Sequence, residues 1–203
     1  MAKVTKVLDS GRTIFTNLKY MYVTPWAKQE DGSYELGSDI YDLVNIVGDS
    51  TSLEQADNDV NEIEHEFSSE PLYEAVTLGN KTFTTECVDY QNDVLKVLFG
   101  WKEEGGILAA PSDYEELYCA IELGFNSTDK VVVLPKVKMN SRAVLASMKT
   151  DVSRGNITGT AYSAWVTGGS GNPIKTDMFI IVGGAEGETA TYTLSEVEPI
   201  KPE

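Results

Sequence analysis

Apolar and polar residues alternate along most of this chain with the two-residue period of half-buried β-strands, and one stretch alone keeps the spacing of a helix. Residues 13–25, rich in aromatic and β-branched side chains, predict a first strand, closed by a polar turn at 29–33. Residues 40–47 predict a second strand, ended by Gly48-Asp49. Residues 62–67 alternate strictly, with Ile63, His65 and Phe67 on one face and Glu62, Glu64 and Glu66 on the other. Between these two lies the polar segment 49–61, which reads as a long loop or a projecting hairpin.

Strand character returns at 75–78 and 82–88, and Gly79-Asn80 between them has the spacing of a hairpin turn, so the two runs are expected to pair. A helix capped by Asp89 or Asn92 is predicted to run to Phe99, with Val94, Leu95 and Leu98 on one face and Gly100 as its stop. After a break at Gly105-Gly106, residues 116–125 point Leu117, Cys119, Ile121, Leu123 and Phe125 one way. Residues 130–139 place Val131, Val133, Val137 and Met139 in register, with Pro135 marking an edge or a bulge. Residues 141–148 fit a helical turn or a bent strand. Residues 155–165 predict a strand with Ile157, Ala161 and Trp165 on a common face, weakened by Gly159. Gly168 to Gly171 then reads as a flexible linker. Two final runs, 177–182 and 189–194, flank a Gly-rich turn and suggest an appended hairpin. The expected fold class is mainly β: an antiparallel sandwich or barrel-like body with one short flanking helix.

Charge adds a second pattern. The net charge is −16, and the 14 acids between residues 29 and 80 are interrupted by no Lys or Arg. Bases gather elsewhere: Lys130, Lys136, Lys138, Arg142, Lys149 and Arg154 are broken by one acid, Asp151. Any single charge reads as solvated surface, but their separation also suits acidic and basic regions of different copies meeting head to tail. No stretch approaches the ~18 apolar residues of a membrane span. With no signal-peptide pattern either, a cytoplasmic site of synthesis is expected. Cys87 and Cys119, far apart, read as buried free thiols.

Recognisable catalytic chemistry is missing from the sequence, so no enzyme, cofactor or metal is expected. His65, the one histidine, sits in an alternating strand context. Asp57, Asp59 and Asn61 open like a calcium loop, but Glu62 stands where the turn needs Gly and Ser68 where a bidentate Glu belongs. Gly168-Gly169-Ser170-Gly171 lacks the Lys-Ser/Thr of a phosphate loop.

The order of several runs resembles the major tail tube proteins of long-tailed phages: YDLVNIVGDS at 41–50, an acidic segment, EIEHEF at 62–67, LGNKTFTTE at 78–86, the helix at 93–99 with Gly100, VVVLPKVK at 131–138 and DVSRGNITGT at 151–160. The resemblance covers roughly residues 10–166. It implies a tail tube β domain over 1–166, with 167–203 as a Gly-rich linker and β-hairpin extension outside it. It further implies six copies per ring, rings stacked into a tube that carries DNA without specific binding, and assembly in a bacterial cytoplasm into the virion. Its partners would be itself and the tail-tip, tape-measure and terminator proteins, with no membrane. In that setting Asp49, Glu54, Asp57 and Asp59 are expected on a loop reaching the next ring, mobile until it docks. Lys136, Lys138 and Arg142 are expected at interfaces, away from a lumen where acids repel the phosphates. A different class is a β-sandwich carbohydrate-binding or adhesion module, with Trp26, Trp101 or Trp165 stacking on sugar rings.

Overall fold

A computed structural model describes residues 15, 17–63, 73–88, 91–113, 115–144, 154–169, 171–181 and 192–199. The chain opens with β1 (Leu18–Lys28), turns through Gln29 and Gly32, and returns as β2 (Tyr34–Leu36) and the two-residue β3 (Tyr41–Asp42). The strand expected over 40–47 is reduced to β3 and one bridge from Ile46 to Cys87. Leu43 is buried but Val44 is largely exposed, so the run does not keep one face to the core.

Next come β4 (Ser52–Gln55), β5 (Asp59–Ile63), β6 (Tyr73–Thr77), β7 (Lys81–Cys87) and the helix α1 (Asn92–Phe99). Asn92 does not cap that helix. Gln91 holds the N-cap position without a side-chain hydrogen bond, and Asp89 lies outside the described residues. Gly100 does close the helix, at φ 71°, the left-handed conformation that glycine adopts at no steric cost. The chain continues through β8 (Lys102–Glu104), β9 (Ile107–Ala109), β10 (Leu117–Phe125), β11 (Val131–Met139) and β12 (Arg142–Val144). It ends with β13 (Arg154–Tyr162), β14 (Ala164–Thr167), β15 (Pro173–Thr176), β16 (Phe179–Ile181) and β17 (Thr193–Ser195). Gly105-Gly106, read as a break, is the two-residue turn of the β8–β9 hairpin, with both glycines at positive φ.

The main sheet runs β2-β1-β10-β11-β13-β7-β4, antiparallel throughout, with β3 added to β1, β12 to β13 and β16 to β11. One face packs on α1. Met21, Val23, Phe83, Cys119, Ile121, Val137 and Ile157 are fully buried there against Val94, Leu95, Leu98 and Phe99. Each such apolar side chain contributes about 1.5–3 kcal/mol of transfer free energy, so this seam dominates folding. A smaller sheet, β15-β14-β17, touches β11 and β2 and gives the molecule its sandwich character.

Pro135 produces a bulge and no edge, since β11 has neighbours on both sides. Between the pairs Cys119–Val137 and Ile121–Leu134, β10 advances two residues and β11 three. Proline lacks the N–H that would continue the ladder, and the Nε1 of Trp26 donates to the Pro135 carbonyl at 3.0 Å. The extra residue inverts the side-chain alternation. Val132 and Leu134 therefore join Val137 and Met139 in the core, while Val131 and Val133 lie on the opposite face.

Two expected hairpins are rearranged. β6 and β7 follow one another across residues 78–80, yet β6 pairs with β5, and β7 pairs with β4 and β13. Near the C-terminus, β16 joins β11 and β17 joins β14, so these two strands are built into separate sheets and do not pair with each other. The Gly171 N–H donates to the Gly168 carbonyl between β14 and β15, which pair with each other, so the two strands joined here form a hairpin. Trp165 accordingly belongs to the small sheet and does not share a face with Ile157 and Ala161.

Candidate functional site

The segment 49–61 is not one loop. Asp49 occupies a turn at φ 61°, pinned to β7 because Val47 N–H donates to the Glu86 carbonyl and Glu86 N–H to Ser50 Oγ. Ser52–Gln55 is then β4, the edge of the main sheet, with Ser52 Oγ and Thr84 Oγ1 hydrogen-bonded at 2.6 Å. These residues are hydrogen-bonded within the subunit.

That part forms an arm. Ser52 stands opposite Thr84, and Ile63 stands opposite Tyr73, so twelve positions on one strand match twelve on the other. The register of β4–β7 thus carries on without a slip into β5–β6, which makes the four strands one interrupted hairpin. Its outer ribbon extends five residue pairs past the sheet, roughly 17 Å, and among the described residues its two strands pair only with each other. The joint lies at residues 56–58 and 78–80. There Ala56 N–H donates to the Asn80 carbonyl, and Asn58 Oδ1 accepts from Gly79 N–H at 3.2 Å. Glycine at 79 permits this backbone contact, since a β-carbon would come within 1.9 Å of the Ala56 carbonyl oxygen.

Glu54 and Asp57 are exposed at the arm's root and joint, Asp59 begins the outer ribbon, and the register sets Glu62 opposite Glu74. Asp49 is separated from these three by the turn before β4. The calcium-like spacing Asp57-Asp59-Asn61 runs into an extended strand, which does not wrap a cation. Leu78, at the joint, is 70% exposed.

The three basic residues do not form a common surface. Lys138 pairs with Glu116, whose carboxyl is held below its ordinary range chiefly by that hydrogen bond. Arg142 is exposed on β12, opposite Asn156. Lys136 is 7% exposed in the described subunit and buried among aromatic rings. Its Nζ lies 4.5 Å from the Tyr118 centroid, 4.7 Å from Tyr34 and 5.7 Å from Trp26, and meets Glu196 Oε1 at 2.5 Å. The other Glu196 oxygen accepts from the Tyr34 N–H at 2.7 Å. Sequence reading missed this constellation because its parts come from β1, β2, β10, β11 and the chain end. Burial, the first cause, and the nearby Glu116 push the Tyr118 hydroxyl up to about 12.

None of the tryptophans is a free platform. Trp26 is buried, Trp101 packs against the core, and Trp165 is half-buried beneath the Lys175 ammonium at 5.9 Å. Among the described residues, no group of three His, Cys, Asp or Glu is placed to hold a metal ion, and no helix is long and apolar enough to cross a membrane. Comparison with known proteins finds no matching family model and no matching curated protein.

Proposed function

We propose that this chain is a structural subunit that polymerises, as the major tail tube protein of a phage, into stacked six-copy rings through which DNA is ejected. The observation that supports the reading is the acidic arm, a hairpin that keeps its register for about 17 Å beyond the sheet, where its two strands pair only with each other among the described residues. A free two-stranded ribbon is marginal in water, so an arm of this kind calls for a surface supplied by another molecule. The sheet also ends in β4 on one side and β2 on the other, edges that neighbouring copies are able to complete.

Most described bases are already paired within the subunit: Lys81 with Asp177, Lys96 with Glu103, Lys102 with Glu115, Lys136 with Glu196, Lys138 with Glu116 and Arg154 with Glu86. Charge attraction to a basic face is therefore a smaller part of this reading than edge pairing and arm docking. The carbohydrate-binding alternative loses its support with the placement of the three tryptophans.

Negative-stain microscopy and sedimentation of purified protein at rising concentration, with and without a tail-tip nucleus, test the proposal. Rings or tubes of uniform width are the expected outcome. A single-copy particle under both conditions overturns it.

A further inference from the structure

Lys136 is the one charged side chain buried among the described residues, and its neutralising partner comes from near the end of the chain. A buried ammonium left without its carboxylate is strongly unfavourable, so the site demands an anion. The geometry is specific for a carboxylate. One oxygen meets Lys136 Nζ at 2.5 Å and the other accepts the Tyr34 N–H at 2.7 Å, while Trp26, Tyr34 and Tyr118 wall the cation. A neutral amide would supply only one acceptor and would turn its NH₂ on one of these donors.

We propose that Lys136 and the Tyr34 amide form a carboxylate socket whose present occupant, Glu196 of the same chain, is exchangeable for the same segment of a second copy. Among the described residues, the segment around Glu196 is a strap held by one short strand pairing, the ring and hydroxyl contacts of Tyr192, and the socket. The three residues of β17 pair with β14, Tyr192 Oη donates to Glu122 at 3.2 Å, and Glu196 fills the socket. Val197, next to Glu196, remains 69% exposed with the strap in its own socket. An exchanged strap repeats every one of these contacts, so its cost lies in the lost tether alone. Tethering gives the chain's own strap a millimolar effective concentration. The socket therefore stays self-filled in the dispersed protein, and a second copy competes only where chains are packed at comparable local concentration. The inference concerns the socket and stands whether or not the polymer is a tail tube.

The test uses the full-length Glu196→Leu chain, which empties the socket, and a synthetic peptide of residues 193–199 as probe. The expected result is 1:1 binding, seen by calorimetry and by a change in tryptophan fluorescence. The same peptide with Gln in place of its first Glu should bind at least tenfold more weakly. A full-length Lys136→Met/Glu196→Leu chain should not bind either peptide. Should Glu196→Leu fail to fold by near-ultraviolet circular dichroism, Glu196→Gln replaces it with the same expectations. Equal binding of the Glu and Gln peptides, binding by the double variant, or no binding by a folded Glu196 variant overturns the proposal.

Discussion

Gly79 and Ala56 meet backbone to backbone at the joint of the arm, with no room for a β-carbon on Gly79 before the Ala56 carbonyl oxygen. The obstacle is main chain on both strands, so rotation of a side chain does not relieve it. Gly79→Ala should loosen the joint at a cost of about 1–3 kcal/mol, the usual range for forced overpacking. Hydrogen exchange should quicken in β5 and β6 while β10 and β11 keep their protection. Unchanged exchange in the outer ribbon would show that the contact does not hold the arm.

Gly159 carries the opposite lesson from the one its composition suggests. It weakens strand propensity, yet a β-carbon there would lie 2.4 Å from Val137 Cγ1 in the packed core face. Gly159→Ala should therefore lower stability in urea by about 1–3 kcal/mol, although alanine is the better strand residue. A neutral or stabilising result would mean that Val137 moves aside freely.

Glu122 is pushed above the ordinary glutamate range by burial, against the opposing effect of its hydrogen bond from Tyr192. Its folded pKa thus exceeds the unfolded one, so the folded state binds the proton more tightly. The carboxyl stabilises the fold at pH below both values, and that contribution is lost as pH rises through the folded one. At neutral pH the ionised group is a cost, and Glu122→Gln should raise stability. The gain should vanish below about pH 4, where the wild-type carboxyl is itself neutral. Melting curves of both proteins across that range decide the point; a pH-independent difference would count against it.

Cys119 is fully buried, and burial pushes its thiol up to about 12. Cys87 is buried as well, and neither is in a disulfide. Neither should react with iodoacetamide at pH 8 in the folded protein, and both should react in guanidinium. Modification of either thiol without denaturant would indicate an opening of the seam between α1 and the sheet.

Local pattern was enough to locate most strands, the helix with its Gly100 stop, the turns at Gly32 and Gly48-Asp49, and the burial of both cysteines. Each follows from short-range rules: a period of two or of 3.6, and the backbone freedom of glycine. Which strand pairs with which was decided elsewhere. β6 leaves β7 for β5, and β16 leaves β17 for β11, because partner choice depends on apolar surface brought together from distant parts of the chain. The bulge at Pro135 shows the limit on a single strand: alternation tells which neighbours share a face, and one extra residue exchanges the faces. Lys136 looked like a surface base by composition. Only the return of Glu196 from 60 residues away, between rings from three other strands, makes its burial tolerable.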